Sequence, residues 1–306
     1  MKLAPAWFIL LYHNVSWEEG PLLWHIGGTC PPDIFREHVK AARNLGRIVS
    51  VRDGYERFTS GGIDEPLISF WFDDGLRGVS QYAVEILDKA GVTGATSICS
   101  RFAARSEMFW RFKLSYVHSI GATRELRERL EPSGLSDTDF TRDFSLTSFS
   151  ADILGTIDKV YVERTSAATR EDHFKIFDTP DDVVQMQRLG WEIANHSAAH
   201  HSCPNVHFVP NAIRQFEEAE ETIKAWTGSA PHFWVLPFGM EADGRLTKAI
   251  LERSPSRIPV AVGQKANRSN AAQPAALYRI CPRATDRRSL SRELLAASAL
   301  IGAATA

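Results

Sequence analysis

Short apolar runs alternate with stretches whose apolar residues recur at helical spacing, and this alternation limits the chain to few architectures. The runs are AWFILLYH (6–13), LISFWF (67–72), TGATSIC (93–99), WEIANH (191–196), HFWVLPF (232–238), IPVAVG (258–263) and ALYRICP (276–282). Between them lie the helical patterns 32–46, 78–91, 180–190, 211–228 and 243–254. A strand that is apolar at nearly every position is buried on both faces, as strands of parallel sheets are. The chain therefore reads as α/β, with a parallel sheet covered by helices on its outer face, open or closed into a barrel. Gly46, Gly91, Gly190 and Gly228 stand where helix C-caps are expected.

Residues 101–178 break the rhythm. They carry Arg101, Arg105, Arg111, Lys113, Arg124, Arg127 and Arg129 and a Ser/Thr/Asp-rich middle, and they read as a mainly helical insertion between two strands. The whole of 1–306 is expected to form a single domain around that insertion. The C-terminal LLAASALIGAATA reads as a last, fraying helix. A formal net charge of −2 over 306 residues gives no electrostatic reason to expect nucleic acid as a partner. No apolar stretch reaches the 18 or so residues of a membrane span. The four cysteines, Cys30, Cys99, Cys203 and Cys281, form no C-x-x-C pair, so a thiolate metal site is not indicated and a reducing compartment fits. MKLAPAWFILLYHNV faintly resembles an export signal but lacks a clear small-x-small cleavage site. The reading adopted is a first strand in a cytoplasmic protein, with export by a short N-terminal signal left open.

Function in parallel α/β folds collects at the carboxyl ends of strands. Asp73 and Asp74 end one strand there, before Gly75. They are either two carboxylates turned into one pocket or a loop capping the next helix. His196 and His200 follow another strand. Spaced i and i+4, they share a face if a helical turn starts there, which suits a metal; His201 would point elsewhere. The bland reading is a polar, histidine-rich loop. Taken together, Asp74, His196 and His200 make a three-ligand site for a divalent ion with positions left open, and Asp73 is then placed to take a proton from water. His13 ends the first strand. It is a structural hydrogen-bonder or the acid that a departing amide nitrogen needs. Pro237, Phe238 and Gly239 form a tight turn after a further strand, either an ordinary connection or a source of backbone N–H groups for an oxyanion.

Taken as a set, these residues resemble the polysaccharide deacetylase family, the NodB-homology carbohydrate esterases. FDDG (72–75) is similar to its first motif, in which the first Asp is the base and the second binds metal. HSAAH (196–200) is similar to its second motif, H-[ST]-x-x-H, whose histidines complete the metal triad. LPFG (236–239) resembles its third, R-x-P-[YF]-G, whose aromatic residue supplies an oxyanion N–H. The resemblance departs in three places. Val235 stands where the third motif has Arg, no late L-x-H follows, and the aspartate–Trp motif is not recognisable. LYH (11–13) has the L-x-H pattern at the other end of the chain, as in a circularly permuted branch, which makes His13 the acid. FWRFKLSYV (109–117) is similar to an insertion of some bacterial members.

The resemblance implies a distorted (β/α)7 barrel and an N-deacetylase that holds Zn²⁺ on Asp74, His196 and His200. Asp73, His13 and Phe238 would be catalytic, and the substrate an N-acylated sugar that releases acetate. The arginines of the insertion are either an anion site for that substrate or a solvated face. Rival readings are a deformylase or other amidohydrolase on the same scaffold, a carbohydrate-binding relative without turnover, and a structural zinc domain.

Overall fold

A computed structural model describes residues 2–130, 150–239, 244–268, 276–283 and 285–303. Its strands are β1 (Trp7–Tyr12), β2 (Asn14–Val15), β3 (Thr29–Cys30), β4 (Arg47–Ile48), β5 (Leu67–Phe72), β6 (Ala95–Ile98), β7 (Glu192–Asn195), β8 (Phe233–Val235), β9 (Ile258–Val262) and β10 (Leu277–Arg279). Its helices are α1 (Pro32–Leu45), α2 (Val51–Ser60), α3 (Val84–Asp88), α4 (Ser100–Ala103), α5 (Trp110–Ser119), α6 (Thr123–Arg129), α7 (Ala151–Glu163), α8 (Ala167–His173), α9 (Pro180–Arg188), α10 (Val209–Thr227), α11 (Arg245–Arg253) and α12 (Ser289–Ala303). None is long and apolar enough to cross a membrane, among the described residues.

The main sheet runs β1-β5-β6-β7-β8-β9-β10, every pair parallel, with β4 beside the start of β5. Backbone hydrogen bonds from Leu11 N to Ile280 O and from Ile280 N to Ile9 O, both 2.8 Å, bring the last strand back to the first. The sheet is thus a nearly closed barrel of seven main strands; the apolar runs predict the parallel sheet, and the family resemblance its closure.

Strand periodicity sorts the side chains into two cores. Trp7, Ile9, Trp71, Ala194, Val235, Val260 and Leu277 meet inside the ring. Phe8, Leu10, Tyr12, Ile68, Phe70 and Phe72 face outward, against Phe35 and Val39 of α1 and Leu290 and Leu294 of α12. The two interior indoles are satisfied by Ser69 and Ser97 hydroxyls, which removes the penalty of burying an unpaired N–H. A third core lies within the segment joining β6 to β7. Phe102, Phe109, Phe112, Leu114, Ile157 and Val160 pack there with Leu23, Leu76 and Ala199 from loops of the barrel rim. That segment is helical where described; most of its Ser/Thr/Asp-rich middle, residues 131–149, lies outside the described residues.

Several local expectations need correction. The helix expected over 78–91 is a π-helical turn, Val79–Ala83, followed by α3. Gly46 does stand at the C-cap of α1, in extended backbone that leads into β4, and a side chain there would meet the Pro66 carbonyl at 2.6 Å. Helix α2 was not anticipated. Ser50 caps its start by accepting from Asp53 N, and Gly61 closes it in the left-handed region. The helix closes the amino end of the barrel, placing Val51 and Phe58 in the interior core. Gly54 lies under the Trp7 indole, where a Cβ would sit 2.5 Å from the ring. Gly54→Val is expected to destabilise the fold by about 1–3 kcal/mol, the usual cost of overpacking, read as a shift in urea midpoint with an unchanged m-value.

Candidate metal centre

The inward register of the strands continues past their carboxyl ends. In β1 it passes from Ile9 through Leu11 to His13, in β5 from Trp71 to Asp73, and in β7 from Ala194 to His196. All of these except the core residues Ile9, Trp71 and Ala194 line one cavity of about 350 Å³, together with Asp74, His200 and Phe238. Asp73 N still bonds Tyr12 O at 3.0 Å, so the ladder holds up to the site. Asp74 then takes φ 73° and Gly75 φ 66°. This reversal turns the second carboxylate into the same pocket as the first, and Asp is among the residues that tolerate it best.

Asp74 Oδ1 lies 3.4 Å from His196 Nε2 and 3.5 Å from His200 Nε2. One ligand atom from each of the three residues falls within 4.8 Å of the others, and all three residues are buried. Asp74 Oδ1, the atom that both Nε2 atoms approach, has no hydrogen-bond partner among the described residues. Donors that converge without bonding one another fit a cation held between them. His196 Nδ1 is 2.9 Å from the Val235 carbonyl. In the neutral ring that contact places the proton on Nδ1 and leaves Nε2 as a bare lone pair facing Asp74.

The electrostatics differ among the three donors. Burial pushes the Asp74 carboxyl up, but His196, His200 and His13 outweigh it and hold it well below the usual range. Burial, with His196 adding to it, lowers His200 to about 3, so its ring is neutral and able to bind metal at ordinary pH. His196 moves the other way, because Asp73 and Asp74 overcome the effect of burial.

The two histidines do not share a helical face, which corrects the i, i+4 expectation. Ser197 at φ 69° and His200 at φ 51° fold the chain back on itself. Asn195 Oδ1 accepts from Ser197 N, Ser197 Oγ from His200 N, and Gln215 Oε1 from Ala199 N. The insertion adds Trp110 Nε1 donating to His200 O at 3.2 Å and the Phe109 ring 4.7 Å from the His200 ring. His201 points away, toward Asn211 and Glu107.

Phe238 also has positive φ, 58°, and its ring stands edge-on to His200 at 4.6 Å. His13 packs against Gly28, whose Cβ position lies 3.5 Å from the His13 Cβ.

One residue of the site was missed. Arg279 Nη1 donates to Asp73 Oδ1 at 2.6 Å, with Arg279 fully buried and Asp73 only 4% exposed. Burial raises the Asp73 carboxyl, but the Arg279 charge, followed by His196, holds it below the ordinary value. Arg279 thus supplies from β10 the guanidinium that Val235 lacks. A signal was present, because a charge inside the apolar run ALYRICP is costly to bury without a partner.

Residues 138–252 match the polysaccharide deacetylase family model. The resemblance in sequence and fold is to the polysaccharide deacetylases. The matched span contains His196, His200 and the Leu236–Gly239 turn and begins after Asp73 and Asp74. Among solved structures, a de-N-acetylase from Aggregatibacter actinomycetemcomitans is 16% identical with a TM-score of 0.59, over 94% of this chain and 99% of that one. IcaB from Ammonifex degensii is 13% identical with a TM-score of 0.60, over 97% and 100%. The Streptococcus pyogenes deacetylase PplD, in complex with acetate, is 13% identical with a TM-score of 0.60, over 94% and 98%. At these identities the likeness is one of fold. No curated protein matches the chain significantly.

Arg279→Met leaves Asp73 buried without its cation and is expected to destabilise the fold by about 3–5 kcal/mol. Adding Asp73→Asn to that variant should recover much of the loss in a double-mutant cycle. Because the Asp73 pKa is depressed on folding, the contribution of the pair is present at neutral pH and is lost as pH falls below about 4. A denaturation series against pH for the wild type and Asp73→Asn reads this directly.

Proposed function

We propose that the chain is a metal-dependent hydrolase that removes an N-acetyl group from an amino sugar or a sugar-containing precursor and releases acetate. The observation that carries the reading is a second carboxylate, Asp73, beside a three-donor cluster whose own carboxylate oxygen has no hydrogen-bond partner. Asp74, His196 and His200 would hold the cation, Zn²⁺ by the chemistry of a two-histidine, one-carboxylate set. When bound, the cation supplies Lewis-acid polarisation and an acidified water.

The roles proposed for the chain's own residues draw on the motif resemblance and are supported by their positions around one cavity. Asp73 accepts the proton of the attacking water. Arg279 holds the Asp73 carboxylate in place and ionised, so it can act at neutral pH. His13, across the same cavity, donates a proton to the leaving nitrogen. The backbone N–H of Phe238 is assigned to the developing oxyanion, in a turn whose geometry is fixed by Gly239. A side chain at 239 would meet Val262 at 2.6 Å. Leu11, Phe109, Phe112 and Phe238 keep the cavity largely apolar, which strengthens each of these interactions.

The decisive measurement is acetate release from N-acetylated sugars, with and without a chelator. Release that survives complete metal removal sinks the reading, and formate from an N-formyl substrate in place of acetate reassigns the acyl group. Asp74→Ala is expected to lose bound metal. Asp73→Asn should retain the metal but slow turnover by roughly two or more orders of magnitude; full activity in that variant would remove Asp73 from its role.

A further inference from the structure

Arg111 lies in the first turn of α5 and lines the same cavity as Asp74, His196 and His200. Most cations around it in the insertion are committed to carboxylates. Arg101 engages Glu107 and Glu218, Arg105 engages Glu171, Lys113 engages Asp158, and Arg124 engages Glu128. Arg129 bridges Glu125 and Glu163. Arg111 differs. Its Nε is buried with no hydrogen-bond partner among the described residues, and its guanidinium stands over the Phe238 ring, 5.4 Å from the centroid. Its neighbours in the cavity wall include Leu23, Ile26, Phe109 and Phe112.

The two carboxylates of the cavity are oriented differently. Asp73 is bonded to Arg279, and Asp74 faces the two histidines. A guanidinium stays charged at any ordinary pH. Arg111 feels the Asp74 charge across the cavity, but with Asp74 given to a bound cation the guanidinium would be a positive charge in an apolar wall, to which a neutral sugar offers hydroxyls but no compensating charge. A carboxylate or phosphate would pair with it through charge-assisted, potentially bidentate hydrogen bonds. Its position is also tied to the site, because the preceding residue, Trp110, donates to the His200 carbonyl.

Resting on the hydrolase reading above, we propose that Arg111 recognises an anionic group, carboxylate or phosphate, carried by the N-acylated sugar, and so selects acidic amino sugars over neutral ones. The test is calorimetric titration of the purified full chain with N-acetylglucosamine, N-acetylglucosamine 6-phosphate, N-acetylmuramic acid and acetate. At least one charged sugar should bind about tenfold or more tighter than the neutral one, the scale of one charge-assisted contact, and which of the two does so separates phosphate from carboxylate. Arg111→Met should erase the difference while leaving the neutral sugar's affinity within about twofold of wild type, and Arg111→Lys should retain part of it. Melting curves check that both variants fold, and the Lys variant carries the test if the Met variant does not.

Equal affinities in the wild type overturn the proposal. So does an Arg111→Met variant that weakens neutral and charged sugars alike, or acetate alone binding as tightly as the charged sugars. Arg111-dependent binding of charged sugars without acetate release from the metal-loaded protein upholds the anion site and overturns the hydrolase reading. Acetate release with no preference for charge does the reverse.

Discussion

The two backbone hydrogen bonds that join Ile280 to Ile9 and Leu11 set the geometry of the site. They close the sheet between its last strand and its first, and they fix the register in which these strands meet. In that register Arg279 points into the barrel level with Asp73, and His13 opens onto the same rim. A slip of one residue would turn each inward side chain outward. It would leave a buried carboxylate without its cation and a guanidinium against the outer helices. The apolar interior supports the register from below, since Trp7 and Trp71 fill the ring only when their indoles reach Ser69 and Ser97.

Above that interior the chain holds unusual conformations. Asp74, Ser197, His200 and Phe238 are four of the six described non-glycine residues with positive φ, and each such conformation costs on the order of 1–3 kcal/mol. They persist because the surroundings over-determine them. The loop after β7 is held by the Asn195, Ser197 and Gln215 side chains, and from the insertion side by Trp110. The insertion is thus part of the site's support, placing one wall of the cavity on the carbonyl of a metal-ligand candidate.

The sequence-level reading succeeded where information is local. Continuous apolar runs mark buried parallel strands because both faces are covered. The pairs Asp73–Asp74 and His196–His200, each of which alone also read as a polar or capping loop, line one cavity. It failed where tertiary contacts decide. Helix α2 was hidden by Gly54, a poor helix former that the Trp7 ring requires. The expected helical turn at His196 was overridden by side-chain hydrogen bonds that fold the loop back. Arg279 escaped because its partner lies 206 positions earlier in the chain; the apolar run marks it as a charge in need of a partner but does not say which.

That distance along the chain has a temporal side. A ribosome delivers β1 and β5 first, so Asp73 exists in the nascent polypeptide long before Arg279 is made. Until β10 emerges, the barrel has an open seam and its acidic rim repels itself without a guanidinium to neutralise it. Loop-closure entropy adds a cost to so remote a pairing, though one that grows only slowly with the length of the loop. A chain that stops before β10 lacks the charge that sets its acidic residues in place, and with it Leu277 of the interior core and the α12 residues Leu290 and Leu294 that cover the outer face.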